Sequence, residues 1–165
     1  MLLPAHPRLD LSRIPDTSPA ARKMAEIHRT AVSLRFRGDD LDPDEISRTL
    51  GAQPTKCARK GGIWHTPSGK EIIARHGFWN LSVPVISPGD LDGQVGALFS
   101  ALSNDLDAWR TLSARYHGNL FAGLFLSGFN EGLGLSPATT SAIGSRGLAL
   151  ELDIYGGDDP DRDAE

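Results

Sequence analysis

Val32, Leu34 and Phe36 alternate with Ser33, Arg35 and Arg37, a period of two that predicts a strand with one buried face. A helix is predicted from Pro43 to Leu50, and the stretch AQPTKCARKGG that follows shows no period. Ile63–Thr66 and Lys70–Ala74 flank the turn residues PSG and predict a hairpin. Gly77 to Val85 reads as a further strand, with Trp79, Leu81 and Val83 on one face and Phe78, Asn80 and Ser82 on the other. The longest helical signal runs from about Pro88 to Arg115, where Val95, Leu98, Phe99, Leu102, Leu106 and Trp109 share one stripe. Gly93 and Gly96 weaken its first turns, each by about 1 kcal/mol relative to Ala. Gly118 ends it. Leu120–Leu126 is a nearly continuous apolar run of the kind found in a central strand, and Pro137 to about Ser145 predicts a third helix. Leu148, Leu150, Leu152 and Ile154 then alternate with polar neighbours, predicting a last strand buried on one side.

With the hairpin taken as one unit, the resulting order is β-α-β-β-α-β-α-β. One-sided strands with interspersed helices predict an α+β domain: a mainly antiparallel sheet with helices packed on one face. Its first six elements follow the ferredoxin-like, split βαβ order, with an α and a β added.

Composition agrees with one domain. The 165 residues are 39% hydrophobic and 23% charged, enough to bury a core without covalent staples. The expected division is a mobile, proline-rich extension over 1–27, a single domain over 28–156 and an acidic, disordered tail over 157–165. A short helix is expected from Ala20 towards Glu26, and Met24 is a candidate natural start. The lone Cys57 excludes an intrachain disulfide and points to a reducing, cytoplasmic setting. The start MLLPAHPRLD has no secretory apolar run, and no stretch approaches the roughly 18–20 apolar residues of a membrane span. Net charge is −4, with a local +2 over residues 1–23 and −4 from Gly156 onward. No domain-wide basic field suggests nucleic acid as a partner.

The run GDDLDPDE, with Asp39, Asp40, Asp42, Asp44 and Glu45, invites a metal reading. Asp40, Asp42 and Asp44 occupy the first, third and fifth places of a calcium loop, but the sixth place holds Glu45 and the twelfth Gly51. The pattern fails where loop geometry is strictest. Read by position, Asp42 is an N-cap, Pro43 the first helical residue, and Glu45 the partner in a capping box. Ser87-Pro88 with Asp90 and Ser136-Pro137 repeat the device ahead of the other two helices.

The sequence contains no P-loop, dinucleotide-binding, G-x-S-x-G or H-E-x-x-H motif. The five histidines lack ligand spacing, although His65 and His76 could meet across the hairpin. Cys57, beside Lys56 and Arg59, is a thiol whose pKa such cations would lower. The most suggestive chemistry is KCARKGGIW. Lys56, Arg59 and Lys60 with Trp64, and with Trp79 from the next strand, form a candidate site for an anionic ligand. No catalytic residue, metal or cofactor is assigned.

FRGDDLDPDEISRTLGAQPTKCARKGG, the strand GFWNLSV and the ending LSPATTSAIGSRGLALELDIYG together resemble the domain of unknown function family 4279. The resemblance spans residues 29 to 156. It implies a small bacterial domain with no assigned activity or cofactor, so it carries no functional residue over. The function expected first is therefore a non-catalytic module that binds another protein or itself, in one version an inhibitor of immunity type. The alternative is a small-anion-binding protein or enzyme built on residues 56–60 and the nearby tryptophans.

Overall fold

A computed structural model describes residues 27–128 and 131–156. The expected N-terminal extension, its short helix, the Met24 start and the acidic tail lie outside the described residues, apart from Ile27. That side chain is buried, and its carbonyl accepts from Gly89 N–H at 2.8 Å.

The chain runs β1 (Arg29–Gly38), α1 (Pro43–Leu50), β2 (Lys56–Ala58), β3 (Ile63–His65), β4 (Glu71–Ile73) and β5 (Gly77–Ser82). It continues through α2 (Leu91–Ser100), α3 (Leu106–Arg115), β6 (Asn119–Phe125), α4 (Pro137–Ser145) and β7 (Ala149–Tyr155). Five strands form one sheet in the order β2-β5-β1-β6-β7, and β3 and β4 pair separately as a hairpin. β1 is antiparallel to both of its neighbours, β5 and β6, and β2 is antiparallel to β5. Hence β2 runs parallel to β1 with β5 between them, and β6 runs parallel to β5 with β1 between them. These are two interlocked split β-α-β units, crossed by α1 and by the α2–α3 pair. The hairpin is inserted between β2 and β5. β7 adds a strand parallel to β6 after the α4 crossover.

The helices cover one face. Val32, Leu34 and Phe36 from β1, Trp79 from β5, and Leu120, Ala122 and Leu124 from β6 meet Ile46, Val95, Leu98, Trp109 and Leu112 in one core. The other face carries no helix among the described residues, so its side chains meet solvent or the hairpin.

Two expectations are corrected. The long helix over 88–115 is two helices, because residues 101–105 leave the helical path. Asp105 caps α3 by accepting from the Asp107 and Ala108 N–H groups at 3.1 and 3.0 Å. Ser103 N–H donates to Leu50 O at 3.0 Å, and Trp109 Nε1 donates to Ser103 O at 2.7 Å. The apolar stripe continues through the break because both helices face the same core. Secondly, Ser87-Pro88 starts no helix. Asp90 does so, accepting from Gly93 N–H at 2.8 Å. Proline directly after the cap thus holds for α1 and α4 only.

β7 departs from its pattern as well. Leu148 is buried and Leu150 packs against the core, but Leu152 and Ile154 are 46% and 59% exposed. The helix layer ends before it reaches the far end of this strand.

Candidate functional site

Asp42 starts α1 by accepting from Asp44 N–H at 2.9 Å, and Gly51 ends it at φ 76°, a left-handed position that suits glycine. Glu45 does not turn back to complete the capping box. It accepts from Arg115 Nη1 at 3.1 Å and from the Tyr116 hydroxyl at 2.7 Å. Arg115 also bonds Asp40 at 3.2 Å. Arg59 bridges Asp42 and Asp44 at 2.5 and 3.0 Å. Asp39 receives Lys60 Nζ, and it lies 2.8 Å from His76 Nδ1. The five carboxylates are therefore an ion-pair hub, each with at least one cationic partner.

The partners move the titrations as expected. Hydrogen bonds from Lys60 and His76 hold Asp39 below the usual carboxylate range. Asp42 also sits low: partial desolvation pulls it upward, but the Asp44 N–H and the Arg59 charge outweigh that pull. Burial, then the Glu45 hydrogen bond, pushes Tyr116 up to about 12. Among the described residues no three His, Cys, Asp or Glu side chains converge so as to hold a metal ion.

The hub divides the basic segment. Arg59 and Lys60 are committed to Asp42, Asp44 and Asp39. Lys56 is on β2, in register with Asn80, and it projects onto the helix-free face of the sheet. There its Nζ lies 5.7 Å from the Trp64 ring centroid, within reach of a cation–π interaction. Trp64 itself packs edge-on against Phe78, with centroids 5.5 Å apart. Trp79 is one residue along β5 and therefore on the opposite face. It is fully buried, and its Nε1 donates to Ser47 Oγ at 3.0 Å. Of the five residues singled out, only Lys56 and Trp64 share a site.

Cys57 behaves opposite to expectation. Strand alternation turns it away from Lys56, and Arg59 is occupied. Partial burial, and then the negative charge of Asp44, pushes its thiol pKa up. His65 and His76 are not brought together either: His65 pairs with Glu71 at 3.4 Å and His76 with Asp39.

Around Lys56 and Trp64 lies a cleft of about 440 Å³ between the hairpin and the sheet, lined also by Arg37, Arg75, Phe78 and Asn80. Arg37 is the direct cross-strand partner of Phe78. The reading of the sequence missed these residues, although the alternation in β1 and β5 already places Arg37, Phe78 and Asn80 outward. The rest of the open face continues the theme. Arg35 sits 3.5 Å over Phe121, Arg29 lies 4.1 Å over Phe125, and Phe125 stacks on Tyr155 at 4.7 Å.

These features define a single α+β domain with a one-sided core, an ion-paired turn at one end of its sheet and an open, cationic–aromatic second face. Residues 26–157 match the family described as Domain of unknown function (DUF4279), and the chain belongs to that family. No curated protein and no solved structure matches the chain. No described helix is long and apolar enough to cross a membrane.

Proposed function

We propose that the chain is a non-catalytic protein-binding domain, acting in the reducing cytoplasm, that takes an extended segment of a partner along the outer edge of β7. One observation carries this reading. β7 ends the sheet, pairs only with β6 among the described residues, and leaves Leu152 and Ile154 exposed by about half. An unpaired edge strand presents a row of backbone donors and acceptors to an incoming strand, and flanking side chains set the specificity. Leu152 and Ile154 lie on the helix side of the sheet, and Glu151 and Asp153 on the open side. The partner strand therefore alternates apolar and basic residues.

Pairing of two copies is disfavoured in the registers centred on residues 151 to 153. Centring an antiparallel pair on Leu152 sets Glu151 opposite Asp153. Centring it on Glu151 or on Asp153 sets that acid opposite itself. Like charges directly opposite destabilise a sheet. Light scattering should find the wild type monomeric and the Asp153→Lys variant dimeric, because each Glu151 then faces the introduced lysine. A synthetic heptapeptide of alternating Val and Lys should protect β7 amides from hydrogen exchange in the wild type. It should fail to do so once Leu152 and Ile154 are both changed to Lys. A monomeric Asp153→Lys variant together with unprotected β7 amides would sink the reading.

A further inference from the structure

We propose that the cleft under the β3–β4 hairpin binds a small aromatic anion, meaning a phosphate or carboxylate carried on a flat unsaturated body. The proposal stands on different residues from the β7 edge and does not rest on it.

Charge bookkeeping is the first observation. Arg59, Lys60, His76, Arg110 and Arg115 each have a carboxylate within 4.0 Å. Arg37, Lys56 and Arg75, which line the cleft, have none among the described residues. Acidic groups are close at hand. Asp39 neighbours the cleft but is held by Lys60 and His76, and Glu71 faces His65. A lone solvated arginine needs no explanation. Three cations left without counter-charges around one concavity, beside a turn where every carboxylate is matched, make a local positive field that an anion would neutralise.

The wall chemistry is the second observation. Trp64 and Phe78 meet edge-on and, with Ile72, form an apolar lining. Asn80 adds an amide with both donors and an acceptor. A mainly apolar cleft with a few convergent polar groups is the usual form of a small-molecule site, and about 440 Å³ lies in the usual range. Spacing is suitable. Lys56 is opposite Asn80 on one side of β5, and Arg37 is opposite Phe78 on the other. At about 4.8 Å per strand and 3.4 Å per residue, their Cα atoms are roughly 12 Å apart. Two long side chains can converge on one anion across that span. The flat body then lies against Trp64 or Phe78, where an aromatic ring adds stacking to the ion pair.

The test uses Trp64 as its own reporter, since Trp79 and Trp109, the other two tryptophans, are fully buried. Phenyl phosphate and benzoate are titrated separately against the full chain, with inorganic phosphate and phenol as half-ligand controls. Fluorescence and the indole N–H shift of Trp64 are read together. At least one aromatic anion should give a saturable response, and each half-ligand should bind at least about tenfold more weakly. A response to phenyl phosphate alone assigns a phosphate, and one to benzoate alone a carboxylate. The double variant Arg37→Ala, Lys56→Ala should weaken binding by about tenfold or more without moving the unfolding midpoint. The Arg59→Ala variant should bind like the wild type. The proposal is overturned by silence towards both aromatic anions at millimolar concentration. Undiminished binding by the Arg37→Ala, Lys56→Ala variant overturns it equally.

Discussion

Replacing Trp79 by Phe separates a core role from a ligand role for this residue. The indole is fully buried, packs edge-on against Phe36 with centroids 6.0 Å apart, and donates to Ser47 Oγ at 3.0 Å. Phenylalanine keeps the ring against Phe36 but leaves the buried Ser47 hydroxyl without its partner, at a cost of about 1–3 kcal/mol. The missing pyrrole ring adds about 1–2 kcal/mol, a fraction of the ~3–5 kcal/mol lost when a whole buried aromatic is deleted. The expected loss is about 3 kcal/mol, a large share of the ~5–15 kcal/mol that stabilises a typical domain. In urea, with a slope near 2 kcal/mol/M, the midpoint should fall by about 1–2 M at unchanged slope. Adding Ser47→Ala to Trp79→Phe should recover about 1 kcal/mol, because both ends of the hydrogen bond are then gone. Trp64→Phe, on the half-exposed side of the sheet, should cost less than about 1 kcal/mol. A Trp79→Phe variant within about 0.5 kcal/mol of the wild type would refute this reasoning. So would a Trp79→Phe variant that weakens binding of the aromatic anion more than Trp64→Phe does.

Tyr116 gives a pH prediction. Its folded pKa of about 12 lies above the ordinary unfolded value near 10, so the folded state holds the phenolic proton more tightly. That contribution is fully present below pH 10 and is lost as pH rises from 10 to 12, by at most about 3 kcal/mol. Urea unfolding across that range should show the slope in the wild type and lose it in Tyr116→Phe; an unchanged slope in the variant would assign it to another group. At the acid end, Asp39 and Asp42 are depressed, so their contribution is present above the unfolded carboxylate range and fades as pH falls below about 4. Asp105→Ala removes the cap that restarts the chain as α3 and should cost about 1 kcal/mol. A variant as stable as the wild type would mean that the anchors at Ser103 alone hold the break open.

Elements that depend on a local period were legible in the sequence. The alternation of β1 and β5 and the cap and proline of α1 agree with the fold because neighbours in the chain set them. The helix break was harder. An apolar stripe reports which face is buried, not whether the backbone between two turns stays helical, and the signal was polar: Ser103 and Asp105 lie in sequence between Leu102 and Leu106 of the stripe. The β5 alternation had already separated Trp79 from Phe78 and Asn80, so grouping Trp79 with the basic loop gave sequence proximity more weight than strand geometry. The pairing of the acidic run was out of reach. Its partners lie 15 to 21 residues away in Arg59 and Lys60, 37 away in His76, and 70 to 75 away in Arg115. Exposure of Leu152 and Ile154 depends on where the helix layer stops, which is a tertiary fact.

The ion-pair hub matters more for where charge is left than for stability. Most of its members are half-exposed, and pairs of that kind contribute about 0–1 kcal/mol each. What it does is hold Arg59, Lys60 and Arg115 around the turn, away from the open face. The net charge of −4 therefore hides a local reversal in which Arg37, Lys56 and Arg75 stand together with no described carboxylate within 4.0 Å while Glu151 and Asp153 hold the opposite edge. β2 and β7 are four strand spacings apart, roughly 19 Å. Exposed charges at that distance are largely screened at physiological salt, where the Debye length is about 8 Å. Substitutions at the cleft and at the β7 edge should then act independently. Between them lies Arg35, which sits over Phe121 and feels the charges of Glu151 and Asp153.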